Sequence, residues 1–135
     1  MKKHFHRVLA LVSAVSILFS VTVFASAAQP PTVEPMYVGI SSLGAALTIS
    51  STGQAACIGR VYNDGDYDVT LIIALQQDGS TIKSWTIATD VGLNNIPKYH
   101  YVASGHDYQV VATAIVKSGN IIVNMYNAYS TVVSY

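Results

Sequence analysis

Three aspartates alternate with other residues in the segment Asp64-Gly65-Asp66-Tyr67-Asp68. Carboxylate oxygens at this spacing are the hard ligands that Ca²⁺ takes in proteins when a loop curls around the ion. The segment is not an EF-hand, because the sixth and twelfth positions counted from Asp64 hold valine and leucine instead of glycine and a bidentate acid. Asp64, Asp66 and Asp68 are therefore a calcium candidate, and a solvated turn held by Asx hydrogen bonds is the alternative.

A second group with possible chemistry is His106-Asp107, together with His100. A nucleophilic enzyme would need a serine or cysteine beside such a base, on a strained turn such as Gly-x-Ser-x-Gly, and the chain has no such turn. The two histidines lack further ligands at the spacing of a zinc site. The aspartates fall in predicted turns, so no carboxylate pair for glycoside hydrolysis stands out. We interpret His106 and Asp107 as the solvated tip of a turn, and we predict no catalytic residue and no cofactor.

The single cysteine, Cys57, excludes an internal disulfide. It alternates with Ala55, Gly59 and Val61 on the small-residue face of a predicted strand. We therefore expect a buried, inert thiol. Because the side chains on this face are small, a facing sheet, or Trp85, can approach it closely. An intermolecular disulfide is the alternative.

Nine tyrosines in so short a chain exceed what one core needs. An exposed tyrosine offers a flat apolar face and a hydroxyl, which suits recognition of protein or carbohydrate. The candidate binding surface consists of Tyr99, Tyr101, Tyr126 and Tyr129. The alternative is that tyrosine here only fills half-buried strand positions.

The remaining pattern is that of β-strands. Apolar residues alternate with polar ones along residues 43–49, 69–76 and 108–116, and Asp78-Gly79 and Ser118-Gly119 have the composition of hairpin turns. A short first strand is predicted over residues 36–40 and a loop over residues 90–97. Trp85 is predicted to fill the core. Seven or eight strands with no helical stretch predict an all-β, two-sheet antiparallel Greek-key sandwich of the Ig-like kind.

The composition of the N-terminal segments predicts where that sandwich begins. A basic head, an apolar run over residues 8–24 and Ala25-Ser26-Ala27-Ala28 are typical of a secretory signal peptide over residues 1–28. An uncleaved membrane anchor is the alternative, because the run is just long enough to span a bilayer. Residues 29–35 are a proline-rich tether, and residues 36–135 are the sandwich domain. Membrane contact is expected only through the signal peptide before cleavage.

Removal of the signal peptide leaves four basic and seven acidic side chains, a net charge of about −3 with neutral histidines. An acidic, lysine-poor surface is a poor partner for phosphate backbones, so nucleic acid is not expected as a ligand.

The run Val102-x-Ser104-Gly105-x-x-Tyr108-x-Val110 resembles the tyrosine corner of fibronectin type III and related Ig-like domains. This resemblance implies structural roles for Gly105 and Tyr108, whose hydroxyl would bond back to the main chain near residues 101–104. More widely, the residues 47–57, Leu75-Gln76, Gly79, Trp85 and the corner resemble a family of small secreted proteins from spore-forming Gram-positive bacteria, known only as a domain of unknown function. That resemblance implies secretion and supplies no catalytic residue.

These observations predict a secreted, non-enzymatic module that binds an unidentified protein or glycan outside the cell or on the cell envelope. The first alternative is a structural protein that associates with copies of itself through exposed edge strands, either residues 36–40 or the C-terminal strand. A small secreted hydrolase is the second. The sequence leaves the oligomeric state open.

Overall fold

Alternating side chains build eight strands, which a computed structural model describes over residues 37–135. The strands are β1 (Ile40–Ile49), β2 (Gln54–Asn63), β3 (Asp68–Gln77), β4 (Ser80–Ala88), β5 (Gly92–Tyr101), β6 (Asp107–Ser118), β7 (Ile121–Tyr129) and β8 (Val133–Ser134). No helix occurs in these residues, and so none that could span a membrane. The predicted signal peptide and tether lie outside the described residues.

The strands form two antiparallel sheets. One has the order β1-β2-β5, and the other has the order β4-β3-β6-β7 with β8 also paired to β6. The chain changes sheets between β2 and β3, between β4 and β5, and between β5 and β6. This connectivity is that of an Ig-like Greek-key sandwich, and the predicted fold class is confirmed.

The core lies between the inner faces of the two sheets. Leu71, Ile73 and Leu75 of β3 alternate into it. The fully buried residues of β6 are Tyr108, Val110, Ala112, Ala114 and Val116. Asp78 and Gly79 make the β3–β4 turn with positive φ angles of 50° and 85°. The predicted alternation and hairpin are both present.

The small-residue face of β2 allows the sheets to approach closely. A Cβ atom placed on Gly59 would lie 2.7 Å from Ile73 Cγ1 and 3.0 Å from Leu71 Cδ2. Ala55, Cys57 and Val61 on the same face are fully buried. It is therefore the facing strand β3 that occupies the space left by these small residues.

Trp85 is only half-buried and packs against the margin of the core, so its prediction as core filling is wrong. It lies on β4, an edge strand, opposite Ile73, with Lys83 Nζ 5.9 Å from its ring centroid. Because β3 and β6 already fill the centre, the indole covers the open side of the sandwich and its outer edge stays in water.

The predicted loop over residues 90–97 is also wrong from Gly92 onward. β5 begins there and runs through Pro97, which lies opposite Ile58 of β2. β5 is an edge strand, and a proline can be accommodated where no ladder donor is needed on the free side. The predicted short strand over residues 36–40 is also wrong, because residues 37–39 are not in a strand and β1, which begins at Ile40, covers the alternation predicted over residues 43–49.

Candidate functional site

Tyr99 and Tyr101 lie on the outer face of β5 and are 58 % and 70 % exposed. They point away from the core because His100 and the other even-numbered residues of β5 take the inward positions. Antiparallel pairing extends the surface across β2, where Tyr62 lies opposite Leu93. We call this surface the tyrosine face and define it by Ile58, Arg60, Tyr62, Leu93, Pro97, Tyr99 and Tyr101.

The tyrosine face is apolar and nearly uncharged. Leu93 is 64 % exposed and Tyr62 is 43 % exposed. Arg60 is the one charged side chain among the outward residues of β1, β2 and β5, and no carboxylate of residues 37–135 forms an ion pair with it. A shallow depression lined by Gly44, Ala46 and Ile58 lies beside it. A partner would meet a largely apolar surface with one guanidinium and, opposite it, the exposed Asn95 amide.

The other two tyrosines predicted for a binding surface lie elsewhere. Tyr126 is half-buried against the core, with its ring 4.8 Å from that of Tyr37 in an edge-to-face contact. Its hydroxyl accepts hydrogen bonds from the Val38 N–H at 2.7 Å and from Asn124 Nδ2 at 3.0 Å. Tyr129 is exposed, but on the outer face of β7 in the other sheet. The four tyrosines therefore do not form one patch.

His106 and Asp107 lie at an exposed corner, as the sequence predicts, but hydrogen bonds that the sequence did not reveal hold this corner in place. The His106 Nδ1 lies 2.6 Å from Asp78 Oδ2, so the β5–β6 corner is tied to the β3–β4 turn. The Asp107 N–H donates to Asp78 Oδ1 at 3.0 Å. The Asp107 N–H and the His106 ring together hold the pKa of the Asp78 carboxyl below its ordinary value. We call these three residues the corner clasp.

The cleft beside the corner clasp has a volume of about 310 Å³ and includes Ser134 and Tyr135 in its lining. The Ser134 hydroxyl donates to Asp107, and the Tyr135 carbonyl accepts from the Gly105 and His106 N–H groups. Within residues 37–135 no hydrogen bond joins the Ser134 hydroxyl to the His106 ring. The polar groups of this cleft hold the C-terminal strand against the corner.

The calcium candidates do not converge. The Asp64 carboxylate accepts a hydrogen bond from the Ser41 hydroxyl, whereas Asp66 and Asp68 line a cleft of about 370 Å³ that Lys117 shares. No group of three or more acidic, histidine or cysteine side chains placed to hold a metal ion occurs in residues 37–135. The Asn63 side chain, which is buried, accepts from the Gly65 N–H at 2.9 Å, so the segment has the Asx turn of the alternative reading.

Cys57 is a free, fully buried thiol. Burial raises its pKa to about 11, which leaves almost no thiolate near neutral pH. The predicted burial of Cys57 is confirmed. A buried sulfur cannot form the alternative intermolecular disulfide while the domain stays folded.

No family model matches the chain, and no curated protein matches it either.

Proposed function

We propose that this chain is an extracellular, non-catalytic module that binds a protein partner through the tyrosine face. The observation that carries the proposal is the exposure of Tyr99, Tyr101 and Leu93 together on a face whose single charge is Arg60. Tyrosine and arginine are enriched among the residues that dominate binding energy in protein interfaces, and charged residues are otherwise depleted there.

A protein partner suits this face better than a glycan. Sugar rings carry hydroxyl groups that need polar partners, whereas Leu93, Ile58 and Pro97 provide none. Arg60 selects for a carboxylate, and it lies on the central strand β2 between Ile58 and Tyr62, so the carboxylate would bind within the apolar area. The expected partner surface is therefore an apolar patch with an aspartate or glutamate near its centre.

The location outside the cell or at the cell envelope rests on the N-terminal sequence. The basic head, apolar run and Ala-x-Ala end of residues 1–28 favour export. The sequence resemblance to small secreted proteins of spore-forming Gram-positive bacteria points the same way. Beside the corner clasp the Ser134 hydroxyl donates to Asp107 and not to the His106 ring, which favours a non-catalytic role.

The proposal is tested by capture from the extracellular and cell-wall fractions of the producing organism. The immobilised chain is compared with a double variant, Tyr99→Ser with Tyr101→Ser, and with Val91→Ser. Val91 is 73 % exposed and lies outside the tyrosine face, so the control loses an apolar side chain of similar exposure. Half of each fraction is treated with protease before capture.

We expect wild type and Val91→Ser to retain the same partner, the double variant to lose it, and protease treatment to abolish retention. Retention of protease-resistant wall polysaccharide through Tyr99 and Tyr101 would identify a glycan-binding module instead. Retention that the double variant leaves unchanged would overturn the role of the tyrosine face.

A further inference from the structure

Within residues 37–135, the long strands at the edges of the two sheets are β1, β5, β4 and β7. An edge strand presents unpaired backbone N–H and C=O groups, and native sheets block these with proline, inward-pointing charges or bulges. β5 has Pro97 and an inward Lys98, which lies opposite Cys57. β4 has Lys83 on its inner face, opposite Leu75. β1 carries a register shift next to Ile40 and shows mostly small and hydroxyl side chains to solvent.

β7 lacks the protection that the other edges have over most of its length. Residues 121–129 contain no charge and no proline. The exposed large apolar side chains of this strand are Ile121, Ile122, Val123, Met125 and Tyr129. It has a register shift beside Val123, and the Met125 N–H donates to Asn124 Oδ1 at 2.9 Å, whereas the pairing with β6 from Asn124 to Tyr129 is regular. Uncharged segments of this composition are those that add to further strands.

We propose that β7 pairs with β7 of a second copy of this chain, antiparallel, so that the two larger sheets become one sheet of eight main strands. A second copy fits because β7 has no charge to repel its own duplicate, although the domain as a whole is acidic. Two identical antiparallel strands related by a two-fold axis also form a closed, self-complementary contact that stops at the dimer. Of the two segments named from the sequence, the C-terminal one contains β7, which is the strand used here.

The dimer has a consequence for binding that rests on the proposed function. Antiparallel pairing requires the two-fold axis to run perpendicular to the joint sheet. Both three-stranded sheets therefore lie on the same face of that joint sheet. The two tyrosine faces then point in the same direction. One dimer could engage two partner molecules on one surface, with the gain in avidity that linkage of two sites provides.

The test is sedimentation of the chain from Gln29 onward, under reducing conditions, because Met36–Tyr135 forms a compact unit of its own. Met125 lies on the outer face of β7 opposite Ile115, and Thr86 lies on the outer face of β4 at the other edge of the same sheet. Met125→Lys and Thr86→Lys therefore add the same charge at opposite edges. Asn127→Lys repeats the change on β7 at a side chain that is already polar and exposed.

We expect a reversible dimer for wild type and for Thr86→Lys, and a dissociation constant raised at least about tenfold by Met125→Lys and by Asn127→Lys. A wild-type chain that stays monomeric up to about 0.5 mM would overturn the dimer. A dimer that the β7 variants leave intact, or that Thr86→Lys weakens equally, would overturn the assignment to β7. None of these results depends on the tyrosine face, so the dimer and the proposed function fail separately.

Discussion

The Tyr108 hydroxyl donates a hydrogen bond to the Ala103 carbonyl oxygen, 2.5 Å away, across the corner where the chain passes from β5 to β6. The ring of Tyr108 is fully buried, and burial raises the pKa of its hydroxyl. Side chain and backbone thus fix the angle at which β6, the central strand of the larger sheet, enters the core.

Tyr108→Phe is expected to lower the free energy of unfolding by about 1 kcal/mol or somewhat more, because it removes one buried hydrogen bond and keeps the ring. Urea denaturation measures the difference. Tyr129→Phe is the matched control, since Tyr129 is 62 % exposed and has no hydrogen-bond partner for its hydroxyl in residues 37–135. Equal stability of the two variants would show that the corner hydrogen bond contributes nothing.

The corner between β5 and β6 shows which features can be predicted from the sequence. Tyr108 and the Asp78-Gly79 turn are local patterns, in which a few neighbouring residues specify the conformation, and both are present. The pairing of Asp78 with His106 joins residues that are 28 positions apart, and no spacing rule connects them. The fold class followed from period-two alternation, whereas the contacts between loops depended on topology.

The surface side chains likewise divide into those whose position local patterns predict and those whose position depends on the topology. Alternation places Tyr99 and Tyr101 on one face, but it does not say that Tyr126 turns inward to meet Tyr37. Proline at position 97 suggested a loop, and only the edge position of β5 makes it compatible with a strand. Such features depend on which strand lies at an edge, which composition does not specify.

Gly59→Ala is expected to destabilise the domain by about 1–3 kcal/mol, because the added methyl group would overlap Ile73 in the facing sheet. Gly44→Ala is the control in the neighbouring strand, where the nearest atom to an added Cβ is Arg60 Cβ at 4.0 Å. Ile73→Val removes the Cδ1 atom that would lie 2.8 Å from the new methyl group. The variant with both Gly59→Ala and Ile73→Val should therefore lose less free energy of unfolding than the sum of the losses of the two single variants.

Acid should weaken the corner clasp through Asp78. Its pKa is lower in the folded state than the ordinary value of 3.8, so the folded state binds the proton more weakly than the unfolded state. The contribution is fully present above about pH 4 and is lost as the pH falls through the folded-state pKa. In thermal melts between pH 2 and 6, Asp78→Asn should show a shallower loss of stability towards acid than wild type.

Asp66→Asn provides the comparison for this acid effect, because Asp66 accepts no hydrogen bond from residues 37–135. Between pH 2 and 4, Asp78→Asn should lose less stability than Asp66→Asn. Parallel curves for wild type and Asp78→Asn would contradict a role for the clasp.

Alkali should weaken the domain through Cys57. The thiol has a pKa of about 11 in the fold against an ordinary 9.0, so the folded state retains a proton that the unfolded state releases. Stability from this residue is complete below about pH 9 and declines between pH 9 and 11. Cys57→Ala should reduce that decline, and the native thiol should react with a thiol-specific chromogenic reagent at pH 8 only after unfolding. Rapid reaction of the folded chain would contradict the burial of Cys57.

The most direct measurement of the tyrosine face is photo-cross-linking in the producing cells, with a benzophenone amino acid placed singly at position 99, 101 or 91. The three positions are all exposed, but only the first two belong to the tyrosine face. We expect a discrete, protease-sensitive adduct with one protein partner from positions 99 and 101 and none from position 91. No adduct from either tyrosine position, or the same adduct from all three, would contradict the assignment of this face as the binding surface.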